Sequence, residues 1–266
     1  VNLCTTLVTN MSSLFSGNSS FNSDISFWDT SNVTTMVDLF QSAATFNQDI
    51  SGWDVSNVTN MNNTFKYARS FNQNIGGWDV SSVITMSVMF FEADDFNQDI
   101  GNWDVSNVTN MFAMFNSADD FNQNLTGWCV SSITSEPSDF AESSALTEAN
   151  KPIWGTCPDY NINVTASSNS DYTLSGSDRN GNVTGDDPSI NINVGDEINF
   201  IVDAASHPFY IKTAQGTGTD NQATDINSSY PNGATSGVVN WTPTTAGTYY
   251  YQCSVHNGMY GTISVQ

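Results

Sequence analysis

Apolar residues in the first half of the chain return in register every 25 positions. Val8, Val33, Val58, Val83, Val108 and Ile133 form one column, and Met11, Met36, Met61, Met86 and Met111 a second. Phe15, Phe40, Phe65, Phe90, Phe115 and Phe140 form a third. Phe21 through Phe121, Ile25 through Leu125 and Trp28 through Trp128 complete the set at the same spacing. One unit could bury its six apolar side chains for about 1.5 to 3 kcal/mol each, whereas ordering each residue costs about 1 to 2 kcal/mol in backbone entropy. A lone repeat therefore does not fold, and the pattern predicts a solenoid in which each coil leans on its neighbours. Within a coil it predicts a short strand at Ile-x-x-Trp-Asp-Val, a turn at Ser-Asn-Val-Thr and a short helical piece at Met-x-x-Met-Phe.

From about Asp159 the long period vanishes and short alternating runs replace it, among them Glu197 to Val202, Pro208 to Lys212, Gly237 to Trp241, Gly247 to Cys253 and Gly261 to Val265. Turn clusters such as Asn180-Gly-Asn and Pro231-Asn-Gly separate the runs. The alternation predicts a β-sandwich of about a hundred residues with no helical subdomain. The chain thus reads as mainly β in two domains, a repeat solenoid with a C-terminal cap over residues 1–157 and a Greek-key sandwich over 158–266.

Composition narrows the partners. The net charge of -22 arises from 5 Lys and Arg against 27 Asp and Glu, so the surface field repels nucleic acid and anionic membranes. No apolar run approaches the roughly 18 to 20 residues of a membrane span, and no leader peptide is recognisable. The chain starts at Val and reads as a mature or truncated product from an extracellular setting.

Repeated Asp and Asn positions, such as Asp29, Asp54, Asp79 and Asp104, invite calcium between the rows. They lack the Gly-bounded ligand spacing of calcium loops, and local capping of turns is the better reading. Asn-Val-Thr at Asn32, Asn57 and Asn107 reads either as a glycosylation acceptor or as an internal Asn ladder. Cys129 and Cys157 read as a disulfide stapling a capping coil. Cys4 occupies the column of Cys129 with nothing before it to cover the first coil. It is either an intermolecular partner in head-to-tail assembly through an uncapped solenoid end or a free thiol, with upstream repeats missing.

Chemistry concentrates near the C-terminus. The chain holds two histidines, His207 and His256, and Cys253-Ser-Val-His256-Asn-Gly-Met259 closes strand Tyr249 to Cys253. Two imidazoles, a thiolate and a weak axial thioether are the donors of a type 1 (blue) copper electron-transfer centre. Zinc would gain little from the thioether. Pro208, Phe209, Gly258 and Tyr260 are expected to form an apolar rim around His256. Catalytic multicopper chemistry needs further histidines, and no serine or cysteine nucleophile has a paired base, so no enzyme is expected.

Two resemblances add to this reading. Phe46-Asn-Gln-Asp-Ile-Ser-Gly-Trp-Asp-Val-Ser-Asn-Val-Thr-Asn-Met61 resembles BspA-like leucine-rich surface repeats over about residues 8 to 150. That likeness implies an LRR-like extracellular scaffold associated with adhesion, at a cell or virion surface. Residues 160 to 266 resemble cupredoxins of the plastocyanin and amicyanin type, which implies His207, Cys253, His256 and Met259 as ligands of one copper ion. Pro208 departs from the pattern, because many relatives carry there an Asn that tethers the ligand loops. Together they predict a surface or fibre-forming structural protein carrying a copper module, binding itself or a surface ligand. The alternative is an electron carrier with a redox partner, anchored by the solenoid.

Overall fold

The computed structural model describes residues 7–266, and Cys4 lies outside them. The chain divides between Thr156 and Cys157 into two compact units.

In the first unit the six columns become the core. Val58, Met61, Phe65, Phe71 and Ile75 are fully buried, and Trp78 nearly so. Phe40 and Phe46 stack at 3.9 Å within one repeat, while Phe40, Phe65, Phe90 and Phe115 stack between repeats at 5.5 to 5.6 Å. At Phe140 the series turns edge-on, meeting Phe115 at 88° and Trp154 at 84°.

The local conformation differs from the sequence expectation in two places. Met61 to Tyr67 is a run of turns and not a helix, because Asn63 and Tyr67 take left-handed φ of 57° and 60°. A helix would use every N–H internally. Here Met61, Asn63, Phe65 and Tyr67 donate to the next repeat at Thr85, Ser87, Met89 and Phe91, while Thr64, Lys66 and Ala68 donate three residues back. Alternate amides are thus exported, and an αL residue at every fourth position turns the peptide planes to allow it. Ile50 to Val55 is also not a strand. Trp53 and Val55 are buried and Asp54 exposed, an alternation that resembles a strand. The parallel bridges instead join Asn10, Thr35, Asn60, Thr85 and Asn110.

The polar columns serve these turns. Ser56 donates its N–H and hydroxyl to Asp54 Oδ1 at 3.0 and 2.6 Å. Ser51 N–H donates to Asp49 Oδ1 at 2.9 Å, and in the next repeat Gly76 N–H donates to Asn74 Oδ1 at 3.0 Å. An uncharged amide fills the same position with the same bond, which is what local capping requires. Asn57 and Asn107 donate their side-chain amides to Ser31 O and Ser81 O in the preceding repeat. The only helical segment among the described residues is a 3-10 turn at Glu148–Asn150.

The second unit contains nine strands. β1 (Asp159–Thr165), β2 (Thr173–Asp178), β3 (Gly181–Asp186), β5 (Glu197–Asp203) and β7 (Ser236–Trp241) form one sheet in the order β3-β2-β1-β5-β7. β4 (Ile190–Ile192), β6 (Phe209–Lys212), β8 (Gly247–Cys253) and β9 (Tyr260–Val265) form the other in the order β4-β9-β8-β6. Ile162, Val164, Phe200 and Val202 from the first sheet share one core with Phe209, Ile211, Tyr251 and Ile263 from the second. At Gly261 a Cβ would lie 2.1 Å from the Tyr251 hydroxyl. Only glycine lets that hydroxyl past to bond Pro188 O at 2.6 Å. No helix of the described residues is long and apolar enough to cross a membrane.

Candidate metal centre

β8 ends at Cys253, and its last residue pairs with Phe209, the first of β6. That pairing sets the segment before β6, which carries His207, beside the loop that follows β8. The loop is closed by its own backbone: Cys253 N–H donates to Met259 O at 3.0 Å, and Met259 N–H to His256 O at 3.3 Å. His207 N–H donates to Ala204 O at 2.9 Å, after Ser206 at φ 70° turns the chain inward.

The donor atoms converge as a result. His207 Nδ1 and His256 Nδ1 are 3.2 Å apart, Cys253 Sγ is 3.5 Å from His256 Nδ1, and the three donors lie within 4.8 Å of one another. Cys253 and Met259 are fully buried, His207 is 8% exposed and His256 half-buried. Among the described residues this is the one cluster of His, Cys or carboxylate groups close enough to hold an ion. Two imidazole nitrogens presented by the same ring atom beside a thiol suit a soft or borderline metal, and the buried thioether of Met259 completes the copper donor set. Val255 N–H approaches the Cys253 sulfur at 3.4 Å.

The tether that an Asn would supply after His207 is backbone here. Ser254 N–H donates to Pro208 O at 3.3 Å, and Gly218 N–H to Ser254 O at 2.7 Å. Gln252, fully buried, accepts from Gly216 N–H at 2.9 Å and donates to Asn257 O at 3.1 Å. Lys212 donates to Gly218 O at 2.9 Å, and burial lowers its pKa, partly offset by Asp220. Strand alternation alone gave no sign of Gln252 or Lys212, because each is a polar residue turned inward to serve loop carbonyls and amides.

One part of the expected rim is corrected. Phe209 is fully buried in the sandwich, 4.9 Å from the Phe200 ring and stacked on Tyr251 at 5.6 Å. As the residue that starts β6 it alternates inward. The apolar residue at the surface is Val255, 59% exposed, with Pro208 half-buried. Cys129 and Cys157 are disulfide-bonded, and Cys253 is a free thiol.

Fold and donors define the second unit as a copper-binding domain of cupredoxin type with one type 1 site at His207, Cys253, His256 and Met259. Residues 172–266 match the family described as copper binding proteins, plastocyanin/azurin family. Through residues 2–83 and 50–154, which together span more than half its length, the chain belongs to the family described as Mycoplasma protein of unknown function, DUF285. Among solved structures it is similar to rusticyanin from Thiobacillus ferrooxidans, at 19% identity, 41% coverage of this chain, 76% of that chain and a TM-score of 0.25. Reduced rusticyanin matches at 20% identity, covering 41% and 78%, with a TM-score of 0.26. No curated protein matches the chain.

Proposed function

We propose that the protein is an extracellular surface or fibre-forming scaffold, with no enzymatic activity, that presents a copper-binding cupredoxin module. The repeats act as an LRR-like solenoid of the BspA-like surface type, and adhesion to a surface ligand or to further copies is their work. The observation that carries this reading is the exported-amide ladder. Each of the first four repeats hands four N–H groups to the next, which supports a continuous repeat scaffold that a diffusible electron carrier has no use for. Antibody labelling and protease shaving of intact cells of the source organism test it, and a chain found only inside the cells would sink it.

Exposure at the metal centre favours a second reading, electron transfer to a docked partner. His256 is half-buried beside exposed Val255, while Cys253 and Met259 are sealed. Bound copper would supply one-electron exchange, and the chain's own part is to hold four donors in a fixed compromise between the two oxidation states. A copper-loaded chain that exchanges no electrons with an electrode or a small redox protein would exclude this role. Negative-stain microscopy tests head-to-tail assembly, for which monomers at every salt concentration are the adverse result.

A further inference from the structure

The sequence holds three Asn-Gly pairs, all in the second unit: Asn180–Gly181, Asn232–Gly233 and Asn257–Gly258. At two of them the structure accounts for the glycine. Gly181 holds φ of 112° as the first residue of β3, paired with Asp178. Gly233 holds φ of 90°, and a Cβ there would run into the Tyr210 ring. Asn232 is tied as well. Its Oδ1 accepts from Ile211 N–H at 2.8 Å and its Nδ2 donates to Ile211 O at 2.9 Å, while Gly233 N–H donates to Phe209 O at 2.8 Å.

Asn257–Gly258 differs on each count. The pair forms the tip of the turn that Met259 N–H closes on His256 O at 3.3 Å, and both residues are exposed. The φ of Gly258 lies outside the left-handed region, and a Cβ there would meet nothing within 4 Å. Neither backbone nor packing calls for glycine. Among the described residues, the side-chain amide of Asn257 and the N–H of Gly258 make no hydrogen bond. The electrophile and the nucleophile of a five-membered ring therefore stand side by side, held back by no contact of the fold. Glycine, lacking a Cβ, crowds its own nitrogen least of all residues.

We propose that Asn257 is a self-modification site that converts the metal loop from a neutral to a charged and looser form. Gly258 N–H gives its proton to hydroxide, and the nitrogen attacks Asn257 Cγ. The carbon–nitrogen bond of the carboxamide breaks, and ammonia leaves with a proton from water. Water then opens the cyclic imide at either carbonyl, leaving an aspartyl or an isoaspartyl residue. Both products put a carboxylate between His256 and Met259, and the isoaspartyl form also inserts a methylene into the main chain there. In that form Asn257 O, which accepts from Gln252 Nε2 at 3.1 Å, becomes a carboxylate oxygen outside the main chain. The modification stands without copper, and only its effect on the metal rests on the copper reading.

The test incubates full-length wild type and Gly258→Ala in mildly alkaline buffer, each both folded and in urea, and maps the peptides by mass. In folded wild type, position 257 is expected to convert while Asn232 stays intact, and in urea both convert. Gly258→Ala is expected to slow conversion at 257 about tenfold or more, because a Cβ crowds the attacking nitrogen. Converted wild type, separated by anion exchange and free of metal, is expected to exchange amides over 253–259 faster than the unconverted chain. With Cu(II) added it is expected to have the lower reduction potential, since a nearby anion favours the ion of higher charge. An Asn257 that stays intact in the fold while converting in urea, or an Asn232 that converts as fast in the fold, would overturn the proposal, as would equal exchange before and after conversion. A wild-type chain with no blue band would sink the copper reading alone, and the mass and exchange results would still decide the modification.

Discussion

The indole N–H of Trp103 donates to the carbonyl of Ile75, 28 residues earlier, at 3.1 Å. Trp53, Trp78 and Trp128 make the same bond to Ile25, Ile50 and Ile100. Trp103→Phe keeps most of the apolar bulk but removes one of the two hydrogen bonds that Ile75 O accepts, the other coming from Trp78 N–H at 3.1 Å, at a cost of about 0.5 to 1.5 kcal/mol. Urea denaturation followed by far-ultraviolet dichroism will show whether the midpoint falls accordingly.

Val88 is a β-branched residue at φ 60°, in a column where Ser13, Asp38 and Asn63 hold φ of 57° to 58°. That conformation disfavours a branched Cβ and suits Asn. Val88→Asn is expected to stabilise the first unit by about 1 kcal/mol, visible as a higher melting temperature.

Arg179 and Asp196 form a bidentate pair with side chains 3% and 0% exposed, at 2.9 and 3.2 Å. Arg179→Met leaves the carboxylate buried without its counter-ion and is expected to cost about 3 to 5 kcal/mol. Pairing it with Asp196→Leu should recover most of the loss, and equal destabilisation of the single and double variants would refute the account.

Cys253→Ser removes the sulfur while keeping a small buried side chain. The blue band on Cu(II) addition should vanish, and thermal stability of the metal-free chain should change by no more than about 1 to 2 kcal/mol. Absorption spectroscopy and a melt on one sample decide both points.

Burial pushes the carboxyl of Asp187 up to about 6, against hydrogen bonds from the Tyr172 and Tyr260 backbones that pull it down. The folded chain therefore keeps this proton where an unfolded carboxyl, near 3.8, has lost it. Stability from this group is greatest at low pH and is lost as pH rises from 3.8 to about 6. Because the carboxyl is partly exposed, screening holds the effect to about 1 kcal/mol or less. The difference in melting temperature between metal-free wild type and Asp187→Asn should widen across that interval and stay level above it.

The buried columns were legible in the sequence because position alone decides them: Val58, Met61, Phe65 and Trp78 recur, and recurrence in a stack means burial. The conformation between them was not. Met61, Thr64, Phe65 and Ala68 sit at the spacing of a helical stripe, and a turn series buries the same four. Only the sign of φ at Asn63 and Tyr67 separates the two, and Tyr67 carries no sequence signal for it. The donor set at His207, Cys253, His256 and Met259 was legible because each donor type in the second unit is so scarce. Tyr172 was hidden by abundance, as one of 9 tyrosines, and its hydroxyl meets His207 O at 3.0 Å only once distant strands are placed.

The exported amides have a consequence for how such a chain can change length. In the first four repeats the alternate N–H groups find their acceptors 24 residues on, as Met61 does at Thr85 and Asn63 at Ser87. Removing a whole repeat brings an equivalent acceptor into the same place, whereas losing one residue mid-repeat turns every later side chain out of its column. The length of the array is therefore quantised, tolerant of recombination between repeats and intolerant of small frame-preserving deletions within them.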